Sequence, residues 1–253
     1  MPINEAIDAY RILAEDVFGT GTRAWLGQTS LLFNGPQYSA KMLAEAVRSI
    51  AGDRKLADTE AKPKCRVTAV SIKERAVHML PDLLRTYTTD VPPYGCTIVD
   101  AALAISASMT FFPPAEIQIR HGRRVRYLDG GMGFNNSTSL AVQEAEDIRG
   151  PDRRIGRIVS VGTGITPYVR FEGNKGALAK KLLDICQAVH MGMDRRFGGM
   201  SKRMYCRFNP PNDLARFGLS EWEEFGEVGN LVHQYPQEDQ VEMRECVVAL
   251  TQP

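Results

Sequence analysis

The stretch EIQIRHGRRVRYLDGG, residues 116–131, narrows most what this chain can fold into. Ile117 and Ile119 alternate with Gln118 and Arg120, and Val125 and Tyr127 alternate with Arg124 and Arg126. That period of two is the pattern of strands buried on one face, and His121 and Gly122 between the runs predict a hairpin whose second strand leads into Asp129. The outward arginines read as a solvated face, with a phosphate or lipid-headgroup patch as the alternative. Gly130 and Gly131 follow Asp129 at once, so a carboxylate is expected at a strand end with nothing bulky beside it. A proton-accepting group belongs in such a place, although an isolated Asp-Gly-Gly is also what any turn favours.

Around the hairpin, helical and strand-like segments alternate. Ile3, Ile7, Tyr10 and Val17 recur at helical spacing and predict a first helix ending near Gly19 to Gly21. A second helix is expected between Ser39 as N-cap and Gly52 as stop. Residues 53–64 are charged and aperiodic, the signature of a solvated loop, and residues 65–71 and 83–87 read as strands. Further helices are expected from near Thr97, after the capping residues 135–139, and over 177–190. The apolar run 157–164 before glycines predicts a buried parallel strand, and another strand is expected near 204–208. Gly192, Gly198 and Gly199 predict a loop over 191–204. Ser220 with Glu223 forms a capping box for the next helix, and Pro236 suits the first turn of the last. Without repeats or linkers, 1–253 is expected to be a single domain of the α/β class.

Composition closes several function classes. Acidic and basic residues nearly cancel to a formal charge of +1, so a broad positive field for nucleic acid is not expected. Cys65, Cys96, Cys186, Cys206 and Cys246 lack CxxC spacing and are expected as reduced, mostly buried thiols. His78, His121, His190 and His233 are dispersed without ligand spacing, so no metal site is expected. VGTGITPY lacks the lysine of a phosphate-binding loop and the third glycine of a dinucleotide turn, so no cofactor is expected either. The acidic N-terminal helix lacks the features of a secretion signal, and the apolar run 101–112 is too short to span a bilayer. A cytoplasmic protein without a transmembrane segment is the expectation.

Four blocks in fixed order give the chain a resemblance. AALAISASMTFFPP (101–114), YLDGGMGFNN (127–136), GPDRRIGRIVSVGTG (150–164) and YCRFNPPNDLARFGLSEWEE (205–224) are similar to the patatin-like phospholipases, especially the fungal forms. The resemblance implies a three-layer α/β/α fold and a Ser-Asp dyad hydrolysing lipid acyl esters, phospholipid or similar, without a metal and with contact at the membrane periphery. It turns Asp129 from a turn residue into the dyad's general base, with Gly130 and Gly131 completing the motif.

The other half of such a site does not map. No GxSxG elbow occurs in the sequence, and the family places its oxyanion loop and elbow ahead of the block matching residues 1–20. The expectation is therefore a patatin-like domain lacking its N-terminal strands and nucleophile elbow, inactive alone. Ser160 lies in a strand-like run, and Ser106 and Ser108 lie in a core helix or its end, so none is expected to be a nucleophile. Where the family usually has an arginine and a proline, this chain has Leu103 and Met109. A non-catalytic remnant that binds a lipid or protein partner is the alternative expectation.

Overall fold

The computed structural model describes residues 2–19, 36, 38–57, 68–73, 81–87, 95–108, 111–118, 122–163, 174–197, 204–210, 217, 221–238 and 240–251. The chain forms two compact units, Met1–Phe134 and Asn135–Pro253.

In the first unit, helices α1 (Ile3–Ala14) and α2 (Ala40–Ala51) precede strands β1 (Thr68–Lys73) and β2 (Pro81–Arg85). Helix α3 (Ile98–Ser106), strands β3 (Ala115–Gln118) and β4 (Arg124–Asp129), and the short helix α4 (Gly131–Phe134) follow. The strands make a four-stranded sheet in the order β2-β1-β4-β3, with every pairing antiparallel. The predicted hairpin is present, with Ile117 opposite Val125 and Ala115 opposite Tyr127. Gly122 there has φ 72, a backbone region open to glycine. Glu116 faces Arg124 and Arg126 at 3.4 and 3.8 Å, so both arginines answer a carboxylate on an exposed face. His121, and residues 65–67 of the predicted first strand, lie outside the described residues.

Alternation explains the core. Leu84, Ile117 and Tyr127 point from three strands onto Ala101 and Ala104 of α3, and the small alanines let that helix lie close to the sheet. A second cluster joins Val17, Leu43, Ala46 and Phe112, and Leu103 packs against both. Val17 enters it from a π-helical turn, Glu15–Gly19, that extends α1. The residue that departs from the family's arginine thus serves here as an apolar bridge between two cores.

Helix α3 is fixed at its start by a reciprocal cap. Thr97 Oγ1 accepts from Asp100 N–H at 3.0 Å, and Thr97 N–H donates to Asp100 Oδ2 at 2.9 Å. Two otherwise orphaned donors are satisfied at once.

The second unit holds α5 (Thr138–Arg149), β5 (Ile158–Val161), α6 (Asn174–Phe197), β6 (Tyr205–Phe208), α7 (Phe225–Glu238) and α8 (Gln240–Thr251). As predicted for the apolar run, β5 pairs in parallel with β6, Ser160 opposite Arg207; it is not the buried strand expected, since Val159 and Val161 are 43% and 76% exposed and of its four residues Ser160 alone is buried. Two further expectations fail. Helix α6 continues through residues 191–197, where a loop was expected, because Met193 and Phe197 pack with Val142 and Tyr205. That burial outweighs the propensity cost of Gly192, about 1 kcal/mol. Pro236 lies in the last turn of α7 rather than the first turn of α8. The bond lost is the one its missing N–H would have given to the Val232 carbonyl, a single bond near the helix end. Ser220 lies outside the described residues.

Thr97→Ala is expected to lower stability by about 1 kcal/mol, and Asp100→Ala to add little once Thr97 is gone. Urea unfolding of the two single variants and the double variant measures this coupling.

Candidate active site

Asp129 is the last residue of β4, and its place is set from both sides. Its backbone pairs with Ser71 of β1, and its N–H donates to the Ala107 carbonyl at the exit of α3, 3.1 Å away. Ser71, fully buried, donates from Oγ to the Leu128 carbonyl at 2.7 Å, with the Ala104 carbonyl at 3.4 Å. One hydroxyl therefore ties β1 to the residue just before Asp129. Sequence patterning did not single out Ser71; a lone serine inside TAVSIK carries no signal of which carbonyl it will meet.

The glycines have distinct physical roles. A Cβ on Gly130 would overlap the backbone carbonyl of Val70, so the chain can leave β4 along this path only with hydrogen at that position. A Cβ on Gly131 would stand 3.2 Å from both carboxylate oxygens of Asp129. Gly131 N–H donates to Asp129 Oδ1 at 2.8 Å, closing an Asx-type turn. Among the described residues, no donor reaches Oδ2.

Burial raises the Asp129 pKa above 3.8, against the smaller lowering effect of the Gly131 N–H. The carboxylate is thus a stronger base than an exposed one, with an oxygen left to receive a proton.

The other candidates are placed elsewhere. Ser160 is 6% exposed on β5, with Arg207 Nη1 donating to its Oγ at 2.6 Å and Thr138 Oγ1 at 2.8 Å. It is a buried structural hydroxyl. Ser106 ends α3, and Ser108 follows it with its carbonyl accepting from Phe111 and Phe112 N–H. His190 Nδ1 bonds the Tyr205 hydroxyl at 3.0 Å and His233 is exposed; His78, His121 and Met109 lie outside the described residues. Cys96, Cys206 and Cys246 are buried free thiols, Cys186 is half-buried, and Cys65 is not among the described residues. Burial, then the neighbouring Asp100 charge, pushes Cys96 up to about 12. No group of three metal-ligating side chains occurs among the described residues.

The architecture is that of an α/β protein with an aspartate presented at a strand end. A family profile described as Patatin-like phospholipase matches residues 2–142, and the chain belongs to that family. It is 28% identical over 226 residues to calcium-independent phospholipase A2-gamma of Mus musculus, covering 83% of this chain and 28% of that protein. To the cUMP-AMP-activated phospholipase of Escherichia coli it is 33% identical over 94 residues, 37% of this chain and 29% of the other. To patatin-like protein 2 of Arabidopsis thaliana it is 26% identical over 147 residues, 51% and 34% of the two. The chain therefore spans about three tenths of the length of these relatives.

Gly130→Ala is expected to destabilise by about 1–3 kcal/mol through overpacking against backbone, while Gly133→Ala, facing open space, stays within about 0.5 kcal/mol. Denaturant midpoints compare the two.

Because the folded Asp129 pKa is raised, its protonated form is favoured by folding. Its stabilising contribution is complete below the ordinary carboxylate range and is lost as pH rises through the folded value. Melting temperatures measured against pH should show the wild type falling relative to Asp129→Asn across that window, and parallel curves would contradict the assignment.

Proposed function

We propose that this chain supplies the general-base half of a serine lipid acyl hydrolase, with Asp129 as the base and phospholipid-type acyl esters as the substrate class. The carrying observation is the half-buried Asp129 carboxylate with a raised pKa and an oxygen without a donor among the described residues. Membership of the patatin-like phospholipase family and the phospholipase names of the relatives support the substrate class.

In this reading a serine hydroxyl attacks the ester carbonyl while Asp129 takes its proton. The proton then passes to the leaving alcohol as the tetrahedral intermediate collapses. Water, activated by the same carboxylate, releases the fatty acid from the acyl-serine. A carboxylate can do this without an intervening histidine when the serine lies within hydrogen-bond reach. Substrates of this class lie in a membrane surface, and no helix among the described residues is long and apolar enough to cross one. Contact from the membrane periphery is therefore part of the proposal.

The sequence contains no GxSxG, so the 253 residues by themselves are expected to give no turnover of a short-chain nitrophenyl ester above background. Turnover abolished by Asp129→Ala would overturn that expectation and reveal another nucleophile. In a longer protein that carries a GxSxG elbow ahead of these residues, Asp129→Asn is expected to lower kcat by about 10²–10⁴-fold. Unchanged kcat there would remove Asp129 from the mechanism.

The same missing elbow favours a second reading, a non-catalytic module that binds lipid or protein. Binding of phospholipid vesicles that is unaffected by Asp129→Asn, with no hydrolysis in any longer form, is the result that would select it.

A further inference from the structure

Ser71 places a fully buried hydroxyl where packing alone asks for none. On β1 it stands opposite Asp129 of β4 and opposite Asp82 of β2, while Lys73 stands opposite Tyr127. Side chains alternate along a strand, so these five share one face of the sheet. Helix α3 covers that face, its Ala101 and Ala104 packed with Leu84 and Tyr127. A hydroxyl in such a place costs stability unless it is bonded, and an alanine at 71 would carry no such need.

The hydroxyl touches both elements that fix Asp129. Its Oγ donates to the Leu128 carbonyl of β4 at 2.7 Å, with the Ala104 carbonyl of α3 at 3.4 Å. Leu128 is the residue before Asp129. Ala104 lies three residues before Ala107, whose carbonyl accepts from Asp129 N–H. One side chain therefore sits between the strand end and the helix whose exit holds that strand end.

We propose that Ser71 is a positioning residue for Asp129, its hydroxyl holding the end of β4 beneath α3 so that the carboxylate keeps its sheltered place. The inference rests on the reading of Asp129 as a base.

Such a role acts on the carboxylate as well as on the fold. Burial is the first cause of the raised Asp129 pKa, and the Gly131 N–H bond that lowers it is made within the turn itself. Releasing Leu128 admits water to the carboxylate and spares the turn, so the pKa falls towards its ordinary value. The charged and titratable groups on this face are Lys73, Asp82 and Tyr127, joined to one another through Asp82 Oδ2. Helix α3 adds Asp100, held in its cap by Thr97 at the far end, and α4 carries no charge. The shift of Asp129 comes from burial and the Gly131 bond rather than from these charges. The competing account is that Ser71 is a satisfied buried hydroxyl that affects stability alone.

The test is a carbon-13 NMR titration of aspartate side-chain carboxyls in the full chain, the Asp129 signal identified by its loss in Asp129→Asn. Ser71→Ala is expected to move the Asp129 titration to lower pH and to speed amide exchange at Asp129 on the order of tenfold. Ile72→Val, which removes a buried methyl from the same strand, is the control: it lowers stability and leaves the titration in place. An Asp129 titration unchanged in Ser71→Ala, or moved equally by Ile72→Val, overturns the proposal. If Ser71→Ala does not fold, Ser71→Cys, which has only a weak donor, decides by the same titration. No turnover enters this measurement, so its outcome is separate from the kinetics of Asp129→Asn. Unchanged kcat in that variant would remove the base and leave the effect of Ser71 on the carboxylate standing.

Discussion

Everything at the candidate site depends on how closely the end of β4 passes β1. At Gly130 the separation leaves no room for a Cβ beside the Val70 carbonyl, and one residue earlier Asp129 is paired with Ser71. The Ser71 hydroxyl closes the gap by bonding the Leu128 carbonyl. Since Ser71 is fully buried, that bond also meets the need of a hydroxyl that water cannot reach. A sheet held this tightly gives the carboxylate a fixed position, and the same burial raises its pKa. Position and basicity follow from one packing arrangement.

Support comes from the other face through α3. Its capping box fixes where the helix begins, its alanines set how near it lies to Ile117 and Tyr127, and its exit places the Ala107 carbonyl against Asp129 N–H. Tyr127 is anchored independently, its hydroxyl donating to Asp82 at 2.9 Å, while Lys73 meets the same Asp82 oxygen at 3.0 Å. The strand that presents Asp129 is thus held by hydrogen bonds to β1, β2 and the end of α3.

The second unit uses buried polar groups differently. Thr138, Ser160 and Arg207 form a connected network with Asn136, whose Oδ1 accepts from the Thr138 hydroxyl at 2.7 Å. It ties the start of α5 to the parallel pair β5 and β6, and each hydroxyl in it is occupied by a neighbour. A serine so engaged is poorly placed for attack, which agrees with its position inside a strand rather than at an elbow.

The hairpin, the stop at Gly52 and the existence, though not the burial, of the parallel strand at 158–161 were legible because each rests on local rules: period-two burial, caps and apolar runs before glycine. Asp129 was legible as a strand-end carboxylate for the same reason, and the ordered blocks of the family gave it a chemical role to test. Residues 191–197 were misjudged because glycine propensity is local, whereas Met193 and Phe197 gain their stability from Val142 and Tyr205, distant in sequence. By itself, the sequence determined most of the elements, the family and the acid side chain at the strand end, since those depend on spacing along the chain. Only the tertiary structure decided that Gly130 must be glycine, that Ser71 locks β4, and that burial leaves Asp129 a stronger base. Each of those depends on an atom supplied by a segment that sequence spacing does not bring near.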